Sequence, residues 1–185
     1  MLILGFFLQA IAYCIFFTPI YILFRLIWCK TNHIPFSWKR ELLMFFFAQF
    51  LFTFLSQTLT PFSLNFSFIT PDLIKKGYLS ANLIPFKTVS HYWLNQNNIN
   101  TNIVIINLLA NLLITVPLGF FLPLLWQKFR KFWKIFLYCT ILIIAIEALQ
   151  PLLLRSADID DYILNILGIS LGYAIWKMFS KIKNK

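Results

Sequence analysis

The chain has 185 residues, 60% of them hydrophobic and 12% charged, with 22 phenylalanines, a mean hydropathy of +0.78 and a net charge of +10. A soluble domain of this composition would lack the polar groups to cover its own surface, so the class is a polytopic, all-α membrane protein. The positive charge does not point to nucleic acid, because it is gathered beside hydrophobic runs, where Lys and Arg set membrane topology and touch anionic lipid.

Residues 2–27 are apolar, with no basic residue before Arg25. A cleaved leader would have a charged start and a small-residue cleavage site, so this reads as an uncleaved first helix with its N-terminus outside. Arg25, Lys30, Lys39 and Arg40 mark an inner loop, and residues 42–59 form a second span with Gln49, Ser56 and Gln57 as its polar positions. Residues 60–101 differ. Pro61, Pro71, Pro85 and Gly77 break any long helix, while Phe62, Phe66, Phe68, Tyr78, Phe86, Tyr92 and Trp93 keep the segment apolar. It is expected to lie along the outer membrane interface, with Asn82-Leu-Ile-Pro-Phe86 as a short apolar element headed by an amide. Asn82 also suits a turn.

The third span, 102–126, carries Asn107, Asn111 and Thr115 at helical spacing. Pro117-Leu-Gly119 should then loosen or kink it in the middle. Lys128, Arg130, Lys131 and Lys134 make a second inner loop, ahead of a fourth span over 135–154 and a fifth over 161–177. Lys177, Lys181, Lys183 and Lys185 close the chain, which shows no internal repeat and no soluble domain. The expected organisation is one integral membrane domain over residues 1–185, a helical bundle of about five helices.

Four of the six acidic residues, Glu147, Asp158, Asp160 and Asp161, fall between residues 147 and 172. Carboxylates beside hydrocarbon cost about 2.5–3.5 kcal/mol each at a helix centre, so their presence asks for a use. Asp158, Asp161, Asn165, Gly168 and Gly172 recur at steps of 3, 4, 3 and 4, which places them on one side of a helix. Gly168 and Gly172 form a GxxxG that admits a second backbone closely. Upstream, Glu147 and Gln150 share a face, Pro151 bends the helix end, and Arg155 stands between the segments. Asp160 is off the stripe and reads as a first-turn acid that favours the helix dipole, with Ser156 as the cap and Arg155 as a partner for Asp158.

With the basic loops inside, the N-terminus lies outside and the carboxyl tail in the cytoplasm. The third span then runs inward, the fourth outward and the fifth inward. Asn107, Asn111, Glu147, Gln150, Asp158, Asp161 and Asn165 all fall in the outer half, Asn165 only about 6 Å below Asp161 at the helical rise. Asn82 comes to the same level from the outer loop.

These residues also carry a resemblance. Asn82-Leu-Ile-Pro-Phe86, Asn107…Asn111…Pro117-Leu-Gly119 and Glu147-x-x-Gln150…Arg155…Asp158…Asp161…Asn165…Gly168…Gly172 resemble the VanZ-like family of bacterial membrane proteins. The likeness covers a motif-bearing core over residues 80–175. It implies a bacterial cytoplasmic-membrane protein of the cell envelope, of the kind associated with teicoplanin resistance in Gram-positive bacteria.

Three uses of the cluster follow. Asn82, Asn107, Asn111, Glu147, Gln150, Asp158, Asp161 and Asn165 would line an outer-leaflet pocket for an amphiphile, a lipid-linked cell-wall precursor or a glycopeptide, with Arg155 meeting an anionic headgroup. Alternatively, Glu147 with Asp158 or Asp161 would hydrolyse or transfer a group on an envelope lipid. As a third use, Glu147 and Gln150 would only clasp Asn107 or Asn111 across helices. The carboxylates are hard oxygen ligands, but no spacing matches a known metal loop, and no cofactor is expected. His33 and His91 stand apart from any nucleophile or metal set, and Cys14, Cys29 and Cys139 read as packing residues.

Overall fold

A computed structural model describes residues 2–59, 81–87, 89–90, 101–153 and 156–183. The chain is all-α. Five helical stretches are long and apolar enough to cross a membrane: Ile11–Thr31, Trp38–Leu59, Leu108–Leu125, Phe132–Leu149 and Ile159–Ile182. The chain divides into two compact units, Met1–Gln57 and Thr58–Lys185.

The first unit is a helical hairpin of α1 (Leu2–Thr31) and α2 (Trp38–Leu59). The ladder end of α1 is closed by the Ile34 N–H reaching back to the Cys29 carbonyl at 3.1 Å, with His33 in the left-handed region at φ 50°. This is the geometry of a Schellman cap, which gives His33 a structural role. Aromatic rings interlock the two helices, Phe17 stacking on Phe52 at 4.2 Å between centroids and Tyr21 meeting Phe45 edge-on. Polar links lie among them: Gln49 Nε2 donates to Thr18 Oγ1 at 2.7 Å, and Arg25 donates to both oxygens of Glu41 at 2.6 and 2.9 Å. Arg25 therefore has its charge matched within the hairpin. A bidentate pair of this kind is the form in which a cation is tolerated near apolar surroundings.

In the second unit the third span is two helices, α3 (Thr101–Ile114) and α4 (Val116–Leu125), separated at Thr115. The break follows from Pro117. Its ring excludes the carbonyl four residues back and supplies no N–H, and the Leu118 N–H turns instead to Thr115 O at 3.0 Å. A 3-10 turn, Gln127–Arg130, leads into α5 (Phe132–Leu149), which gives way to a second 3-10 turn at Gln150–Leu153. Helical geometry thus tightens just where Pro151 stands, ahead of the predicted end at 154. The last helix, α6 (Ile159–Lys183), extends past the expected 161–177 at both ends. Its lysines favour the negative C-terminal pole and lengthen it there.

Leu118 on α4 and Ile169 and Tyr173 on α6 are buried, as is one face of α5, through Ile135, Cys139, Ile143 and Ile146, which recur at helical spacing. Its opposite face, Trp133, Leu137, Ile141 and Ile144, stays exposed, as a lipid-facing surface would. Helix α6 packs along α3 and α4 with the backbones in close approach at three glycines. A Cβ on Gly168 would collide with the Leu112 carbonyl, one on Gly172 with the Val116 carbonyl, and one on Gly119 with the Ile169 carbonyl. Gly119 is therefore a third member of the close-approach seam as well as a neighbour of the break. All three cysteines are free, and Cys139 is fully buried.

Candidate functional site

The site is assembled where α6 begins. Two short extended segments, β1 (Ala81–Asn82) and β2 (Ala157–Asp158), pair in parallel, Ala81 opposite Ala157 and Asn82 opposite Asp158. Asp158 then caps α6. Its Oδ1 accepts the Asp160 N–H at 2.9 Å, the bond an N-cap side chain makes to the second helical residue. This corrects the assignment of the cap to Ser156, which lies two residues further upstream and is exposed. The same Asp158 oxygen accepts from Asn82 Nδ2 at 3.0 Å, so one carboxylate holds both the helix start and the distant 81–90 segment.

That segment is a tight turn. The Ile84 N–H donates to Asn82 Oδ1 at 3.3 Å, and the Lys87 N–H to Ile84 O at 3.3 Å, with Pro85 second and Phe86 third in the turn. Phe86 has φ 62°, the value a type II turn requires at its third residue and one that glycine ordinarily supplies. Asp160 holds this conformation. Its Oδ1 accepts the Phe86 N–H and its Oδ2 the Val89 N–H at 3.2 Å. Asp160 is 2% exposed, the most buried acid described. The turn meanwhile presents Leu83, Ile84 and Phe86 outward, each more than 60% exposed.

Two further contacts complete the cluster. Asn111 Nδ2 on α3 donates to Asp161 Oδ1, and Glu147 Oε2 near the end of α5 accepts the Asp158 N–H at 3.1 Å. Of the expected clasp between Glu147 or Gln150 and Asn107 or Asn111, the described contacts bear on Asn111 alone. Asn111 reaches the acid on α6, because the glycine seam brings α3 and α6 together, while Glu147 turns to the β2 backbone. Gln150 is buried at the end of α5. One turn below Asp161, the backbone carbonyl of Asn165 accepts from Thr115 Oγ1 at 2.8 Å, tying α6 to the break in the third span. The Asn165 side chain is buried, and among the described residues its Oδ1 has no hydrogen-bond partner. The side chain of Asn107 and the whole of Arg155 lie outside the described residues.

The arrangement thus links Asn82, Glu147 and Asp160 by hydrogen bonds through Asp158, with Asp161, the next residue in the chain, paired to Asn111 and with Asn165 one turn beneath. Sequence periodicity omits Asp160, which the structure places at its centre. Its spacing puts it off the helical stripe, and its partners are backbone N–H groups 71 and 74 residues away. Among the described residues, no group of three or more His, Cys, Asp or Glu side chains is placed to hold a metal ion.

A sequence model of the VanZ/LLP1 family matches residues 42–180. The chain belongs to this family. The match takes in the second span, the turn, the break in the third span and the whole acidic cluster, so these features of the fold lie within the VanZ/LLP1 region. With five spans of membrane-crossing length, this VanZ-like chain is a multi-pass membrane protein. No curated protein and no solved structure matches it.

Proposed function

We propose that this VanZ-like protein sits in the bacterial cytoplasmic membrane with its acidic cluster at the outer surface. There it receives the polar head of an amphiphilic or lipid-linked molecule and so modulates susceptibility to teicoplanin-type glycopeptides. The observation that carries this reading is the orphaned Asn165 Oδ1. A buried acceptor without a donor costs about 1–3 kcal/mol, and Asn165 stands one helical turn below Asp161 on α6. A hydroxyl, amine or amide on a ligand would supply the missing donor. The exposed Leu83, Ile84 and Phe86, on the turn tied to Asp158 and Asp160, offer apolar contact for the attached chain. The resemblance to proteins associated with teicoplanin supplies the phenotype.

Expression in a Gram-positive host is expected to raise the inhibitory concentration of teicoplanin. Asp161→Ala and Glu147→Ala should each abolish the rise at unchanged membrane protein levels, and should lose a lipid that co-purifies with the wild type. If both variants keep level, phenotype and lipid, the proposal fails.

A second reading, a purely structural clasp, is favoured by the carboxylate oxygens that already accept protein N–H groups. Asp161→Asn separates the two, because an amide oxygen still accepts from Asn111. A clasp leaves that variant silent, whereas a ligand drawn by charge is lost.

A further inference from the structure

At the opposite end of α5 from Glu147, a cleft of ≈ 290 Å³ is lined by Lys128, Trp133, Lys134, Leu137 and Tyr138. Lys134 and Glu147 are 13 residues apart on one helix, about 20 Å at the helical rise, so this cleft is separate from the acidic cluster. We propose that it is a binding site for the phosphate head of an anionic glycerophospholipid in the leaflet facing the basic loops.

Charge comes first. Two ammonium groups, Lys128 and Lys134, border one cavity, and both are held against aromatic rings. Lys128 Nζ lies 4.8 Å from the Phe129 ring centre and 5.5 Å from that of Tyr138, and Lys134 Nζ lies 5.5 Å from that of Trp133. Ring faces attract the cations and limit where they can go, so the charges are gathered before an anion arrives. Neither the Phe129 nor the Trp133 side chain has a hydrogen-bond acceptor that would take up the ammonium protons an anion needs. The loop itself is anchored: Phe129 is buried, and Tyr173 on α6 donates its hydroxyl proton to the Arg130 carbonyl at 2.8 Å.

Size and surroundings then choose the source of the phosphate. The volume is at the lower limit of small-molecule sites, enough for a phosphodiester head and too small for acyl chains. Those chains have a place immediately alongside. Trp133 and Leu137 line the cleft and continue into Ile141 and Ile144, all on the exposed face of α5, a span of membrane-crossing length. A soluble phosphate compound would gain nothing from that stripe, whereas a phospholipid is matched by both parts.

The test uses the purified full chain in vesicles of phosphatidylcholine doped with brominated phosphatidylglycerol or, in parallel, brominated phosphatidylcholine, with tryptophan fluorescence as the readout. Brominated phosphatidylglycerol is expected to quench at a much lower mole fraction, by roughly thirtyfold if each lysine near the surface contributes its usual attraction. Trp133→Phe should remove the selective part of the quenching. Lys128→Gln with Lys134→Gln should bring the two lipids level, while the Lys128→Arg, Lys134→Arg pair retains the preference, which separates charge from a folding defect. Equal quenching by the two lipids in the wild type overturns the proposal. So does a preference that survives the glutamine pair, or one abolished by millimolar inorganic phosphate at constant ionic strength, which would assign the cleft to a soluble anion.

Discussion

Asp160 and Asp161 are neighbours in the chain with different work, and single substitutions should separate them. Asp160 uses both oxygens on backbone N–H groups of the turn, so Asp160→Asn replaces one acceptor with a donor facing a donor. We expect a loss of about 1.5–3 kcal/mol in the stability of that segment, read as faster hydrogen exchange at the Phe86 and Val89 amides. Asp161→Asn should leave those amides protected. Phe86 supplies a complementary test. Its left-handed backbone costs about 1–2 kcal/mol for a residue with a Cβ, so Phe86→Gly should hold or raise the melting temperature in detergent. If the exposed ring is kept for contact with an amphiphile, the same change lowers the teicoplanin phenotype. A fall in stability would mean that the ring packs against the fold. Asp158, read as the first member of a helical stripe, stands ahead of the helix as its cap, whereas the run Asp161, Asn165, Gly168 and Gly172 was legible in the sequence because it follows helical spacing. The role of Asp160 was not, since no local pattern reveals a carboxylate whose partners are main-chain groups of a remote turn. Nor could spacing choose between Ser156 and Asp158 as cap, both being residues that cap well.

Among the helices, the seam between α6 and the third span is the decisive contact. Gly119, Gly168 and Gly172 each leave no room for a methyl group against a facing carbonyl. Alanine at any of them should force the helices apart and cost about 1–3 kcal/mol or more, lowering the melting temperature and weakening the Asn111–Asp161 link. Ser170→Ala, on the same helix but bonded within it through Ile166 O, should be nearly neutral. The GxxxG and the disruptive Pro117 were both readable in the sequence. That Gly119 belongs to the same seam was not, because a glycine two residues after a proline is accounted for by the kink alone. In the hairpin, Glu41→Gln should destabilise by about 2 kcal/mol, since Arg25 would keep its charge and lose its charged acceptor. Exchanging the two residues, Arg25→Glu with Glu41→Arg, should recover part of the loss in a thermal melt.

For the whole molecule, runs of about twenty apolar residues marked all five spans, because the bilayer fixes that length whatever the tertiary packing. Boundaries moved by a few residues where caps and prolines intervened. The side-chain partnerships inside the second unit depended on contacts across 50 to 76 residues and could not be read from a single line of sequence. We propose the orientation that the basic loops would set, under which a reporter fused after residue 185 is expected to be active only as a cytoplasmic fusion, and one inserted at 60–80 only as an external one.

Direct backbone contact along α6 has a mechanical corollary. Where the three glycines bring the backbones together, the two rods have little soft layer in which to slide, so Asp161 and Asn111 stand at the end of a stiff strut. The short loop at 82–90 is held instead by hydrogen bonds to Asp158 and Asp160. Deuterium uptake should accordingly be slow along the strut and quicken through residues 82–90 when that loop is untied.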